Sequence, residues 1–566
     1  MINFLSKLYM IFGAKLTSFV FLVVLCTIVE SIGIGIFYPI IDLMMKSEVD
    51  NAQPVYFLTN VQNTIKYIFQ YFDIELNNVN ISLFLLIIFL LKSFLVLMTF
   101  ILQANMRANL LSYLKSEIYK SFVSLNLEKF KKLDAGELIN TTNEQTNRSM
   151  LCFIYFSVVI INFSNFIFFI ALALIVQFNI AATVCGLIFF LYIPLRVLNK
   201  KVKILSEDIR KRNTYTTSHI RYGMSGFKYL KATGQGGKFS TRCHNLLSNI
   251  VNLEKKIGYL TAFIRSGKDL FIIVGIMPLL YVIHSGNVDL GLVLTSIALT
   301  FKAFQAAFQL QLSYQSFLEF QPSIVSSFNM IGELNKHQDN IHTQQEFSKP
   351  IKNVELRNIS YKYRDRKLNV LTNFSYTLEK GEIYIIHGAS GSGKSTLVDL
   401  TIGLLNPSEG KVIVNGQFDM SYINYDFRKN VAYLPQEPFL IGGSFVDNIL
   451  LFSNSKLKNS DINRLMKLIH SFGLKDLFPT KESLFSSLED DATTLSGGQK
   501  QRLAIIRELF LRKEVIILDE PTSALDSLNA NKVIKVLEKI SENAIIIIST
   551  HDPKIITKFE NTIKLL

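Results

Sequence analysis

Six long apolar runs within roughly the first 320 residues constrain this chain more than any other feature. They lie at about Leu16–Met44, Ile81–Leu102, Leu151–Val176, Ala181–Leu198, Tyr259–Ile283 and Leu290–Leu310. At ~1.5 Å per helical residue, about 20 residues cross the ~30 Å hydrocarbon core of a bilayer. The spacing therefore predicts six membrane-spanning helices. The first run exceeds that need and carries Glu30 and Pro39, so it is expected to tilt or protrude. It lacks a small-residue cleavage pattern and is expected to stay as an anchor rather than be removed.

The connections between the runs are asymmetric. Two long inner excursions, about 105–150 and 197–257, are rich in Lys and Arg, including Lys200, Lys201, Lys203, Arg210, Lys211 and Arg212. The outer connections hold few basic residues. That bias puts the excursions and both termini in the cytosol. The chain carries 59 Lys and Arg against 45 Asp and Glu, a net charge of +14. Basic loops against anionic lipid headgroups account for this charge, and no nucleic-acid partner is expected.

Residues 46–80 form the one long outer loop, where Leu58, Val61, Ile65, Phe69 and Phe72 recur at helical spacing. This predicts an amphipathic helix, either lying on the outer leaflet or packed as a cap. The outer connections at Gln177–Asn179 and near Gly286 are short turns. Four cysteines, Cys26, Cys152, Cys185 and Cys243, show no spacing for a disulfide framework or a metal centre.

The last 220 or so residues read as a soluble α/β domain. Its organising stretch is Gly388-Ala389-Ser390-Gly391-Ser392-Gly393-Lys394-Ser395-Thr396, between the β-branched run Ile383–Ile386 and the helical run from Leu397. Strand, glycine loop and helix are the context of a phosphate-binding loop. Backbone N–H groups close around phosphate oxygens and the following helix directs its positive end at them. Lys394 would neutralise β- and γ-phosphate charge, and the Ser395 hydroxyl would ligate Mg2+. Downstream come a strand ending at Gln436, the run Leu495-Ser496-Gly497-Gly498-Gln499, a strand Val515–Leu518 ending in Asp519-Glu520, and a strand Ala544–Ile548 ending near His551.

With these motifs assembled, the region from Ile351 onward resembles the nucleotide-binding domain of ATP-binding cassette transporters. The six spans with long inner excursions resemble an exporter half-transporter. The implied fold is an all-α six-helix transmembrane domain, of the type I exporter or type IV kind, fused to an α/β P-loop NTPase domain. The expected division is 1–337 for the membrane domain, 338–350 for a polar linker and 351–566 for the nucleotide domain.

The resemblance implies further roles. Tyr363 matches the aromatic that stacks on adenine. Gln436 and Asp519 match Mg2+ contacts, alongside Ser395. Glu520 matches the general base that polarises water, and His551 the residue that bonds the γ-phosphate. Ser496, Gly497, Gly498 and Gln499 match the signature that faces ATP held by the other subunit, and Asp526 sits across that interface. One chain carries one set of motifs, so a homodimer is the economical expectation. Three departures stand out: Leu488–Ala492, where Asp490 replaces a usual glutamate; Ser549-Thr550-His551-Asp552; and a short C-terminus.

The substrate signal lies in the spans. Lys92 sits about eleven residues, ~16 Å, from the nearer end of its run, too deep to snorkel comfortably. A charge at the centre of a span costs ~3 kcal/mol on insertion scales. Arg265 and Lys302 add cations in two further spans. They could line a cavity that accepts anions, or pair with Glu30. Ile28-Val29-Glu30 through Pro39-Ile40, the outer loop, and Lys92, Arg265 and Lys302 resemble the bacterial flippase of lipid-linked oligosaccharides. In that family such cations receive the pyrophosphate, and a further arginine stands where this chain has Gln309. The expected activity is ATP-driven flipping of an anionic amphiphile, a polyprenyl-pyrophosphate-linked glycan first among them, across the bacterial cytoplasmic membrane. A peptide or drug exporter is the second reading. With no domain ahead of the first span, a peptide-processing exporter is the less expected form. An ATP-gated channel or regulatory subunit is the alternative of another class.

Overall fold

In this computed structural model the residues described are 2–35, 67, 69–75, 77–176, 178–284, 290–339, 346–363, 368–451, 453, 456–488 and 495–565. They form two compact units: residues 1–123 with 133–336, and residues 124–132 with 337–566. The expected membrane domain is thus interrupted. The nine residues Ser124–Lys132, from the first inner excursion, belong to the second unit.

The first unit is helical. After a leading helix Ile2–Phe12, Gly13 adopts φ +51 and starts a new axis. Long helices follow: α1 (Ala14–Gly35), α2 (Asn78–Val123), α3 (Thr146–Val176), α4 (Phe178–Ser225), α5 (Gly236–His284) and α6 (Leu290–Asn335). Among the described residues, the stretches 14–33, 79–123 and 135–176 are long and apolar enough to cross a membrane. Helix α2 has 46 residues, which at ~1.5 Å each reaches about 70 Å, well past a bilayer. The second and fourth runs therefore continue into their excursions as single helices rather than ending at the membrane. Helix α4 even passes through Pro194 without ending.

The interior of this unit combines aromatic packing with a polar seam. Tyr155 stacks on Phe320 at 5.6 Å, and Phe156 meets Phe317 at 5.8 Å, joining α3 to α6. The Thr27 hydroxyl donates to Asn165 Oδ1 at 2.8 Å, joining α1 to α3. In lipid, where apolar burial alone does not drive helices together, such close packing and interhelical hydrogen bonds carry association. Gly33 of α1 lies against Ile88 and Phe89 of α2, which brings those helices close. Asp134 caps the short helix Ala135–Asn140 and is held by Ser218 and Arg221 of α4. Of the expected outer helix, Phe69 is buried against Ile81 and Phe72 is exposed. Leu58, Val61, Ile65, Pro39, Gln177 and Gly286 lie outside the described residues.

The second unit holds strands β1 (Asn353–Tyr361), β2 (Leu371–Glu379), β3 (Ile383–Gly388), β4 (Glu409–Val414), β5 (Phe418–Asp419), β6 (Val431–Leu434), β7 (Gly443–Ser444), β8 (Ser487–Leu488), β9 (Val515–Asp519), β10 (Ile545–Ser549) and β11 (Thr562–Leu565). One sheet is antiparallel, in the order β2-β1-β4-β5, and β7 pairs with β8. The central sheet is parallel, in the order β11-β3-β10-β9-β6. Val515 to Leu518 and Ile545 to Ile548 are buried at every position. Continuous apolar runs of this kind suit strands covered on both faces. Each Ile side chain so buried contributes about 1.5–3 kcal/mol.

Candidate functional site: a nucleotide pocket and a membrane charge cluster

Parallel strands end on the same edge of a sheet, and ligands of open α/β folds sit beyond those carboxyl ends. Here β3, β10 and β9 are adjacent, with Ile386 opposite Ser549 and Ser549 opposite Asp519. The segments after these three strands carry the glycine loop, His551 and Glu520. Register alone therefore gathers residues separated by more than 150 positions in the chain.

The glycine loop has the backbone its sequence implies. Gly388, Gly391 and Gly393 adopt φ +154, +83 and +99. A Cβ on Gly388 would strike the Leu565 carbonyl oxygen, and one on Gly393 would approach Val370 to 2.9 Å. The loop feeds the helix Lys394–Thr401, with Gly393 at its N-cap. Lys394 Nζ donates to the Gly388 and Ala389 carbonyls at 2.9 and 3.0 Å and lies 2.9 Å from His551 Nε2. The buried Ser392 hydroxyl has no hydrogen-bond partner among the described residues.

Next to this loop is a cavity of about 360 Å³. It is lined by Tyr363, Ser390, Gly391, Gly393, Lys394, Ser395, Thr396, Gln436, Asp519, Glu520 and His551, together with Val370 and Ser549. Motifs scattered between Tyr363 and His551 form one wall here because the strand ends converge. Ser395, Gln436 and Asp519 offer a hydroxyl, an amide oxygen and a carboxylate. Such an oxygen set fits Mg2+, which takes one or two protein carboxylates and completes its shell with phosphate and water. Among the described residues, no cluster of three or more His, Cys, Asp or Glu could hold a metal by itself.

Glu520 adopts φ +51, an uncommon conformation for a residue with a side chain. Its N–H donates to the Ser549 carbonyl at 2.8 Å, and its Oε2 accepts from Thr550 Oγ1 at 3.3 Å. Gln501 reinforces this turn from below. Its amide donates to the Glu520 carbonyl at 2.7 Å and to Ser523 Oγ at 3.3 Å, and accepts from Ala524 N–H at 3.0 Å. Gln501 is buried. It was not singled out in the sequence because it follows the signature run as one more polar helical residue.

The signature residues and Asp526 do not line this cavity. Ser496 caps the helix Gly497–Phe510 in a reciprocal box with Gln499. Gly498 packs so that a Cβ would come within 2.7 Å of the Ala524 carbonyl oxygen. Asp526 caps the helix Ser527–Ser541. Asp490 lies outside the described residues.

Residues 124–132 add contacts that carry no local signal in the sequence. Tyr361 OH donates to Glu128 Oε1. Lys131 Nζ lies 3.4 Å from Asp399 Oδ2, on the helix after the glycine loop, and 5.7 Å from the Tyr363 ring centroid. Burial pushes the Asp399 carboxyl above its usual range, with Lys131 opposing that shift.

In the membrane unit, Lys92 of α2 and Lys302 of α6 each place Nζ 3.0 Å from Glu30 Oε1 of α1. Pairing with Glu30 is thus realised for both lysines. Arg265, on α5, does not join this cluster and is exposed.

Residues 371–523 match the family model described as ABC transporter. A putative export ATP-binding/permease protein of Rickettsia bellii is 26% identical over 456 residues, covering 79% of this chain and 78% of the relative. The heterocyst differentiation ATP-binding protein HepA of a Nostoc species is 26% identical, covering 80% and 74%. A lactococcin-A transport/processing ATP-binding protein of Lactococcus lactis is 34% identical over 195 residues, 34% of this chain and 27% of the relative. Among solved structures, a bacterial Atm1-family ABC exporter with ATP bound superposes with a TM-score of 0.77 at 16% identity, covering 98% of this chain and 93% of that one.

Proposed function

We propose that this chain, an ATP-binding cassette exporter half-transporter with ATPase activity coupled to transport, works as a homodimer that flips an anionic amphiphile of the lipid-linked oligosaccharide class. The reading places it in a bacterial cytoplasmic membrane with the nucleotide domain in the cytosol. The observation that carries the substrate reading is the charge cluster: two lysines from separate helices meet one carboxylate, leaving one positive charge in excess. A charge in a span is costly unless it serves a partner or a ligand. Arg265 adds a second cationic point.

The motor follows from the pocket. Lys394 and the loop N–H groups hold the β- and γ-phosphates, and Tyr363 stacks on adenine. Ser395, Gln436 and Asp519 would hold Mg2+, which when bound neutralises charge between the β- and γ-phosphates. Glu520, fixed by Thr550 and by the Gln501 bridge, accepts the proton of the attacking water. His551 orients that water and the γ-phosphate. Ser496, Gly497, Gly498 and Gln499 lie outside this pocket, and the helix they open presents N–H groups suited to phosphate. That separation supports a site completed by a second copy, with Asp526 at the seam.

The test is ATPase in proteoliposomes. Stimulation by a polyprenyl-pyrophosphate glycan, lost in Lys92→Ala with Arg265→Ala, supports the reading. Stimulation by small hydrophobic drugs or peptides instead would overturn it, and ion conductance without turnover would point to a channel.

A further inference from the structure

We infer that Glu30 is a resident counter-anion that sets a charge threshold for the substrate, so that a diphosphate headgroup displaces it from Lys92 and Lys302 at lower concentration than a headgroup of lesser charge. The inference rests on the proposed anionic-amphiphile reading and deepens it by naming the residue that selects among anions.

One oxygen, Glu30 Oε1, receives both ammonium groups at 3.0 Å. The three residues come from α1, α2 and α6, far apart in sequence, so the meeting point depends on how three helices pack. An ammonium has three donors, and each lysine gives one to Glu30. Among the described residues no second acceptor is bonded to either. Lys92 also lies 5.9 Å from the Phe89 ring centroid, a weak contact by comparison.

Exposure separates the roles. The Glu30 side chain is 14% exposed, Lys92 25% and Lys302 41%. The carboxylate is the inner member and the lysines retain open sides. An anion arriving at those open donors meets two cations already shared with one carboxylate. A neutral headgroup offers no charge to exchange, and a zwitterionic one brings a phosphate already balanced by its own cation. A singly charged one gains an excess of one positive charge, against competition from a tethered carboxylate that loses no translational freedom on binding. A diphosphate supplies more charge and more acceptor oxygens than Glu30, and can engage both ammonium groups at once. Selectivity then arises from competition, by the same logic that makes specificity a difference of affinities.

The experiment compares ATPase stimulation in phosphatidylcholine proteoliposomes doped with polyprenyl monophosphate or polyprenyl diphosphate, each rate expressed relative to that variant's own unstimulated rate. For the unaltered protein, diphosphate is expected to act at a concentration roughly tenfold below that of monophosphate. Glu30→Gln is expected to lower both half-stimulating concentrations and narrow their ratio to about threefold or less. Lys92→Gln leaves a balanced Glu30–Lys302 pair and is expected to raise the diphosphate value about tenfold. It also serves as the deciding variant if Glu30→Gln does not fold, as judged by gel filtration. Unchanged concentrations and an unchanged ratio in Glu30→Gln, or in Lys92→Gln where that variant decides, overturn the threshold while leaving the anionic substrate in place. Absence of stimulation of the unaltered protein by either lipid overturns the anionic reading and the threshold with it.

Discussion

Lys131 Nζ stands 3.4 Å from Asp399 Oδ2, tying a segment of the first inner excursion to the helix that follows the phosphate loop. The same ammonium lies 5.7 Å from the centroid of the Tyr363 ring. Burial raises the Asp399 carboxyl and Lys131 works against that rise. For an acid whose folded-state pKa is raised, ionisation costs stability, so stability falls as pH rises from the unfolded toward the folded pKa. Lys131→Met should enlarge that cost. The variant is expected to melt earlier than the parent at neutral pH, by about 0.5–1 kcal/mol given the half-exposed lysine. The difference should vanish at acid pH, where Asp399 is protonated. Thermal unfolding in detergent across pH checks this; a difference independent of pH would contradict it.

Glu520→Gln keeps the size of the side chain and removes the proposed base. Steady-state ATPase should fall by at least ~100-fold while ATP binding persists. Turnover in detergent micelles and equilibrium binding of a fluorescent ATP analogue report the two quantities separately. Retained turnover would contradict the assignment.

Gln501 makes three hydrogen bonds that hold the Glu520–Ala524 turn. Gln501→Ala leaves the Glu520 carbonyl and the Ala524 N–H without this partner, a cost of about 1–3 kcal/mol for a buried polar group. The expected result is an ATPase rate lowered several-fold to tenfold, with ATP affinity little changed because Lys394 and the glycine loop are untouched. A fall in affinity equal to the fall in rate would show that the turn does not act through Glu520.

Tyr363 lines the cavity, with its hydroxyl 3.2 Å from Thr396 Oγ1. Base stacking on an aromatic is worth about 1–3 kcal/mol. Tyr363→Ala should therefore raise the KM for ATP about tenfold or more, and Tyr363→Phe should restore most of it. Equal effects of both variants would assign the role to the hydroxyl instead of the ring.

How much of this was legible beforehand depends on how locally each feature is encoded. The phosphate loop, Asp519-Glu520 and His551 each stand at a strand end readable in the sequence, and the resemblance to an α/β P-loop NTPase domain implied that they share one site. The spans were legible as apolar runs. The second run reads as continuing in a polar helix towards Asn126, and α2 ends at Val123; the fourth leads into an excursion that reads as helical to about Lys256, and α4 ends at Ser225. Residues 124–132 were not separable, because nothing in Leu125-Asn126-Leu127-Glu128 marks a segment that belongs with strands more than 200 residues away. Gln501, Lys131 with Asp399, and the shared Glu30 oxygen are pairings set by tertiary approach. For Glu30 the sequence supplied the candidates and left open whether the lysines paired with it or served an anion. The structure supplies the pairing of two lysines with one carboxylate.

The central claim is that each ATP site draws its phosphate loop from one chain and its signature from another. It is tested most directly by mixing two inactive variants, Lys394→Ala and Ser496→Arg, and measuring ATP hydrolysis. Random pairing makes half of the dimers mixed, and each mixed dimer retains one intact composite site. Recovery to about one quarter of the parent rate is expected. A mixture as inactive as either variant alone, with mixed dimers demonstrated by affinity pull-down, would contradict it.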